Sequence, residues 1–181
     1  AYIATNESSI EWLGTKPTGT HFGTVGLKNG TVYVNNSQIS GGSIVIDMES
    51  IVCNDIENPK MNQKLLEHLM SNDFFAVDSF PTAIFEIASI GELPDTLSNS
   101  NELELTHTVE GNLTLRVKTK GISFPARIEV TSDSIKLSTP QFFINRTNWG
   151  VNYGSKSIFA NLTDNFINDE MGLIINFSAK K

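Results

Sequence analysis

A mostly β fold of antiparallel strands, with one attached α-helix, is what this sequence predicts, and three observations carry it. Apolar and polar residues alternate with a period of two along most of the chain, the mark of strands with one wet face. Short turn signals separate these runs. Only one segment breaks the alternation with helical spacing and helix-capping chemistry.

The strand candidates begin with Ile10–Leu13, Phe22–Leu27 and Thr31–Val34. Between the last two, Lys28-Asn29-Gly30-Thr31 holds an Asn-Gly pair flanked by apolar runs, a strong hairpin signal. Ser43–Met48 follows, with Gly41-Gly42 before it as a turn or bulge. Asn58-Pro59 then supplies an N-cap and a first-turn proline, and Met61, Leu65 and Leu69 recur four apart. A helix of about three turns over Pro59–Met70 is expected, laying that stripe on the sheet. Thr82–Ile90 is the next strand, and Gly91–Asn101, with Pro94 and several Ser and Asn residues, reads as a surface loop. Leu103, Leu105 and Val109 resume the alternation, Glu110-Gly111 suggests a turn or bulge, and Leu113, Leu115 and Val117 continue. In Ile122–Val130 every even position is apolar; Pro125 lies on the odd face and calls for an edge, a bend or a bulge. Ser134–Leu137, Phe142–Asn145 and Leu173–Phe177 complete the set. About eight strands with hairpin turns suit either a sandwich or an up-and-down barrel, and the pattern alone does not choose.

With 181 residues the chain suits one domain spanning 1–181. Its net charge of −7 disfavours nucleic acid and anionic membrane surfaces alike. No apolar run is long enough to cross a bilayer as a helix. The single cysteine, Cys53, permits no internal disulfide, which suits a cytoplasmic chain and an exported one equally. The chain opens on Ala1, consistent with a removed export signal or a trimmed start.

Four blocks of residues narrow the choice. They are Trp12-Leu13-Gly14-Thr15-Lys16-Pro17-Thr18-Gly19-Thr20-His21-Phe22-Gly23; Gly42–Ile51; Leu65–Leu69 running through Asn72-Asp73-Phe74-Phe75-Ala76-Val77 to Phe80-Pro81-Thr82-Ala83-Ile84-Phe85; and Gly111–Leu115 with Thr119–Ala126. Together they resemble the bacterial YceI-like family, whose members are described as polyisoprenoid-binding and lipocalin-like. The resemblance runs from about Ile10 to the last strand, and its most specific part is the helix followed by Asp-Phe-Phe and aromatic-Pro-Thr-Ala-x-Phe. It implies an antiparallel barrel of about eight strands with a helix attached and a long apolar pore. Three departures stand out: Glu7-Ser8-Ser9 where many members carry His-Ser, Val117-Lys118 where many carry Gly-Val, and Asn145 where a variant carries Asp.

The resemblance implies an apolar ligand, a polyisoprenoid or similar chain such as a quinone or fatty-acid derivative, bound by a carrier or storage protein of the bacterial cell envelope, periplasmic or otherwise exported. It also leaves a homodimer open. On it, the pore is expected to draw its lining from Trp12, Phe22, Phe85, Phe143, Trp149 and Tyr153, with His21 or Arg146 near the mouth as head-group anchors. The same aromatics serve equally to fill an ordinary core, and the two polar residues to sit on a surface. No catalytic residue, cofactor or metal is expected. His21, His68 and His107 lack ligand spacing, His68 is expected to face solvent, and no nucleophile elbow, phosphate loop or dinucleotide fingerprint occurs. Cys53 reads as a small buried hydrophobe, and the acidic run Asp164–Glu170 lacks a calcium-loop pattern. An adhesion module with a filled barrel and a small pore enzyme are the alternatives.

Overall fold

The computed structural model describes residues 1–94, 103–159 and 162–181. The core of the Gly91–Asn101 loop therefore lies outside the described residues. Ten antiparallel strands form one sheet: β1 (Tyr2–Ala4), β2 (Ser9–Lys16), β3 (Gly19–Asn35), β4 (Gln38–Cys53), β5 (Thr82–Glu92), β6 (His107–Leu115), β7 (Lys118–Val130), β8 (Ser134–Ser138), β9 (Phe142–Asn145) and β10 (Glu170–Lys180). The helix α1 (Pro59–Met70) follows β4, and a short 3-10 turn, Arg146–Trp149, follows β9.

The pairing closes on itself. β10 meets β2 over Gly172–Asn176 and β1 over Ala179–Lys180 on one edge; its other edge meets β9 over Glu170–Leu173 and β8 over Asn176–Lys180. β1 with β2, and β8 with β9, are thus two interrupted strands, and the ring has eight positions. Closure pairs almost every strand on both sides, which removes most of the edge on which sheets aggregate. One seam is incomplete. β7 pairs with β8 only over Arg127–Val130, so its earlier half has no strand partner on that side. Pro125, which has no N–H to give, falls in this unpaired stretch.

Two local readings change in three dimensions. The Asn29-Gly30 pair does not turn the chain: β3 runs straight through it with a register shift between Leu27 and Asn29. The hairpin is made instead at Asn36-Ser37, both at positive φ. Gly30 is required for another reason, since a Cβ there would meet Ile44 Cδ1 at 2.9 Å and Ala4 Cβ at 3.1 Å. Leu103 and Leu105 lie outside β6, and Val117 is an exposed turn residue. The Gly41-Gly42 and Glu110-Gly111 pairs do neighbour register shifts, the first between Tyr33 and Val34 and the second between Ile87 and Ser89.

The helix occupies the expected span. Asn58 Oδ1 accepts from the backbone N–H groups of Lys60 and Met61 at 3.0 and 3.2 Å, and Pro59 opens the first turn. Its packing face differs from the Met61-Leu65-Leu69 stripe. Leu66, Leu69 and Met70 pack on the barrel, Leu65 faces the cavity described below, and Met61 is exposed. Among the described residues no helix is long and apolar enough to cross a membrane.

Two hydrophobic clusters divide the barrel along its axis. One, with Tyr2, Val32, Ile128, Ile135 and Ala179, lies toward the end away from the helix. The Tyr2 hydroxyl donates to the carbonyls of Thr131 and Ser132 at 2.9 and 3.1 Å, pinning the first strand across that end. The other cluster, with Ile10, Val25, Ile46, Leu113 and Trp149, forms the wall of the helix-bearing half.

Candidate functional site

Inside the barrel lies a cavity of about 660 Å³. Its size suits a drug-sized or chain-like ligand. Alternation places Ile10 and Trp12 of β2, and His21, Val25 and Leu27 of β3, on the inner face, with Ile44 and Ile46 of β4 beside them. Phe85, Phe124 and Phe142 build an aromatic stretch of wall: Phe124 stacks on Phe142 with centroids 4.7 Å apart and meets Phe85 at 5.8 Å. The Phe85 ring lies over Gly111, where a Cβ would come within 2.4 Å of it, so the glycine makes room for the aromatic. Polar lining is concentrated at the helix end, where Lys16, His21, His68, Asp164 and Glu170 surround the opening. The cavity is an apolar pore whose charged lining gathers at its mouth, at the helix end.

The segment after the helix builds part of that mouth. Phe74 is buried, and His68 stands edge-on to Phe74 at 4.9 Å and to Tyr153 at 4.6 Å. Nε2 of His68 also meets Asp73 at 3.0 Å. His68 is therefore a mouth residue rather than a purely solvent-facing one. It was missed because helical spacing does not reveal what the following loop folds back against.

On the other side, Nδ1 of His21 pairs with Asp55 at 2.8 Å, which also accepts from the Phe22 backbone N–H at 2.8 Å and from the Cys53 thiol at 3.1 Å. Burial of Asp55 opposes its ionised form, but these donors outweigh it and hold its carboxyl below the usual range. Burial and the adjacent Asp55 push the Cys53 thiol up, so it stays protonated. Asp55 sits between the cysteine and the histidine, the reverse of an arrangement in which an imidazole deprotonates a thiol.

Of the eight residues expected at the pore, Trp12, His21, Phe85, Arg146 and Tyr153 line the cavity. Phe22 and Phe143 do not: they are 48% and 54% exposed, on the outer face of the barrel. Trp149 does not line it either. It is buried in the wall, its indole N–H donating to the Leu113 carbonyl at 2.8 Å, and it lies beside the half of β7 that lacks a strand partner.

Arg146 reaches the cavity but is no free head-group anchor. It is 2% exposed, and its guanidinium donates to the carbonyls of Val151, Ile167 and Asn168 at 2.8, 3.0 and 3.2 Å. Burial lowers its pKa, and the nearby Asp169 carboxylate counteracts this. The guanidinium also lies 5.8 Å over the Phe74 ring. Its role is to tie the loop between Gly150 and Glu170 to the barrel. Lys16 makes no ion pair among the described residues and is the cation left facing the mouth. Among those residues no group of three or more His, Cys, Asp or Glu side chains is placed to hold a metal.

Solved structures share this architecture. BcnA from Burkholderia cenocepacia superposes with a TM-score of 0.67 at 15% identity, over 95% of this chain and 96% of that one. A polyisoprenoid-binding domain from Saccharophagus degradans, implicated in plant cell wall breakdown, gives 0.66 at 12% identity over 99% and 98%. A Campylobacter jejuni YCEI protein gives 0.58 at 17% identity over 86% and 82%. At these identities the likeness is one of fold. No curated protein matches the chain in sequence. The family model of the YceI-like domain, however, matches residues 2–179, and on that match, with a closed antiparallel barrel around an apolar pore, the chain belongs to the YceI-like family.

Proposed function

We propose that this protein binds a single apolar lipid chain in its barrel and acts as a carrier or store rather than as an enzyme. The apolar cavity of about 660 Å³ is the observation that carries the reading. A barrel of eight strands can be filled by its own side chains or hold one slender ligand, and an open cavity of this size favours the second. At about 30 Å³ for a methylene-sized group, close to the share of a water in the liquid, at least about twenty carbons, or four isoprene units, fit the pore. Burying that many methylenes is worth about 16 kcal/mol before ordering costs, so no covalent or catalytic group is needed for retention. Polyisoprenoid binding by a protein of the same fold supports the choice of chain.

The protonated thiol of Cys53, with Asp55 between it and His21, gives no support to a pore enzyme. Residence in the bacterial cell envelope is part of the proposal, since a carrier of this kind serves where a lipid must cross water; fractionation of the native source tests it. The binding test is native mass spectrometry with the C20 alcohol geranylgeraniol. A one-to-one complex is expected, abolished by Ile44→Glu, which sets a carboxylate in the pore wall, while circular dichroism shows the barrel intact. A wild-type chain that takes up no alcohol refutes the reading.

A further inference from the structure

The outer surface at the mouth carries apolar side chains, Phe22 and Phe143 foremost, that belong to neither the pore lining nor the core clusters. Phe143 lies opposite Gly172, Gly172 opposite Leu13, and Leu13 opposite Phe22, so the three side chains follow one level of the barrel across β9, β10, β2 and β3. Cross-strand partners share a face, and because Trp12 and His21 on the alternate positions line the pore, this row faces outward. Val52 of β4, 42% exposed, lies on the same outer face one level farther in, opposite Thr24. Beside it, the loop after the 3-10 turn presents Ile158 and Phe159, 47% and 49% exposed. Ser155 and Ser157 donate to Asp169, one residue before β10, and hold that loop at the mouth. Among the described residues, all exposed large hydrophobics except Ile3 and Tyr33 fall at this end of the barrel.

We infer that this rim is a docking surface for a lipid bilayer, on which the pore mouth is seated while its chain enters or leaves. The inference rests on the pore being a lipid site. The rim is continuous with the pore opening, and a chain of about twenty carbons that left the mouth into water would lose its apolar burial, methylene by methylene. Seated on a bilayer, the same chain passes between two apolar phases. The band is also shallow. One level farther from the mouth the outward row is Glu11, Thr24 and Val52, and the exposed Glu11 carboxylate limits insertion on the β2 side to the first row of side chains. That depth matches interfacial binding rather than spanning. With a net charge of −7, apolar partition and not attraction to anionic lipid must drive contact.

The test is co-flotation of the full chain with zwitterionic phosphatidylcholine vesicles, at low and at high salt. Wild-type protein is expected to float with the vesicles at both. Phe22→Glu with Phe143→Glu should lower the bound fraction at least about tenfold, because each removes one phenylalanine's worth of burial. Both side chains are exposed and outside the pore, so the variant should still bind geranylgeraniol in native mass spectra. Wild-type protein that binds the alcohol but stays off vesicles overturns the docking surface alone; protein that takes up no alcohol overturns the pore reading, whatever the vesicles show. The inference also falls if the double variant floats unchanged or if salt abolishes flotation. A wild-type dimer that Phe143→Glu splits in sedimentation would assign the rim to a second copy of the chain instead.

Discussion

Arg146→Met separates the structural role of the buried guanidinium from the head-group role that sequence suggested. The substitution keeps the length and most of the packing of the side chain while deleting its donors. The carbonyls of Val151, Ile167 and Asn168 lose partners at 2.8, 3.0 and 3.2 Å, and Asp169 loses a neighbouring cation. Hydrogen bonds from a charged donor are worth about 1.5–3 kcal/mol each but do not add. Methionine is also spared the desolvation that burial imposes on the cation. The net loss expected for breaking such a buried cluster is about 3–5 kcal/mol. With a urea slope of about 2 kcal/mol/M for a chain of this size, the unfolding midpoint should fall by about 1.5–2.5 M. Arg146→Lys should lie between the two, because one ammonium cannot fork to three diverging carbonyls. The assay is urea unfolding followed by circular dichroism, with geranylgeraniol binding measured well below the transition. If the methionine variant keeps wild-type stability within about 1 kcal/mol yet binds at least tenfold more weakly, the clamp reading is refuted and Arg146 is a ligand anchor after all.

Three further outcomes are expected. In competition by native mass spectrometry, affinity for isoprenoid alcohols should rise from C10 to C20, at about 0.8 kcal/mol per further buried methylene before ordering costs, because about twenty carbons fit a pore of 660 Å³; equal affinity for the C10 and C20 alcohols would show that the second half of the chain stays outside. Cys53, buried and held as a thiol beside Asp55, should resist iodoacetamide at neutral pH in the folded chain and react in denaturant, so rapid labelling of folded protein would contradict its assignment as an inert core thiol. Asp169 is pushed up by burial, but hydrogen bonds from Ser155 and Ser157 and the charge of Arg146 more than offset this and leave it below the ordinary carboxylate range. A carboxyl depressed in the fold contributes stability that is complete above its unfolded pKa, about 3.9, and is lost as pH falls through the folded value. Urea midpoints should therefore decline below about pH 4, and Asp169→Asn should flatten that acid limb; an unchanged limb would remove Asp169 from the account.

Much of the barrel was legible in the sequence because strand faces are set by neighbours two residues apart. The alternation in Ile122–Val130 located β7 and its inward face, and Asn58-Pro59 located the helix through contacts within one turn. Pro125 called for an edge, a bend or a bulge for a reason internal to the residue, its missing N–H, and the structure supplies the edge. The Asn29-Gly30 pair failed for the opposite reason: Gly30 answers to β1 and β4, which press on it from elsewhere in the chain, and the turn came at Asn36-Ser37.

The pore and its mouth depended on tertiary structure in a stronger sense. Period two separates the two faces of a strand, but where both carry large apolar residues, as around Trp12 and Phe22, it does not say which one a closed sheet turns inward. Trp12 and Phe22 look alike in sequence, and only the ring closure through β10 sends one into the cavity and the other to the outer wall. Arg146 carries a charge that sequence naturally assigns to a mouth, yet its partners are carbonyls 5 to 22 residues along the chain, which no side-chain pattern announces. The cavity itself is the volume that eight strand positions enclose minus the volume their side chains fill. Each strand contributes a legible inner face, but that difference exists only once all of them have closed into a ring.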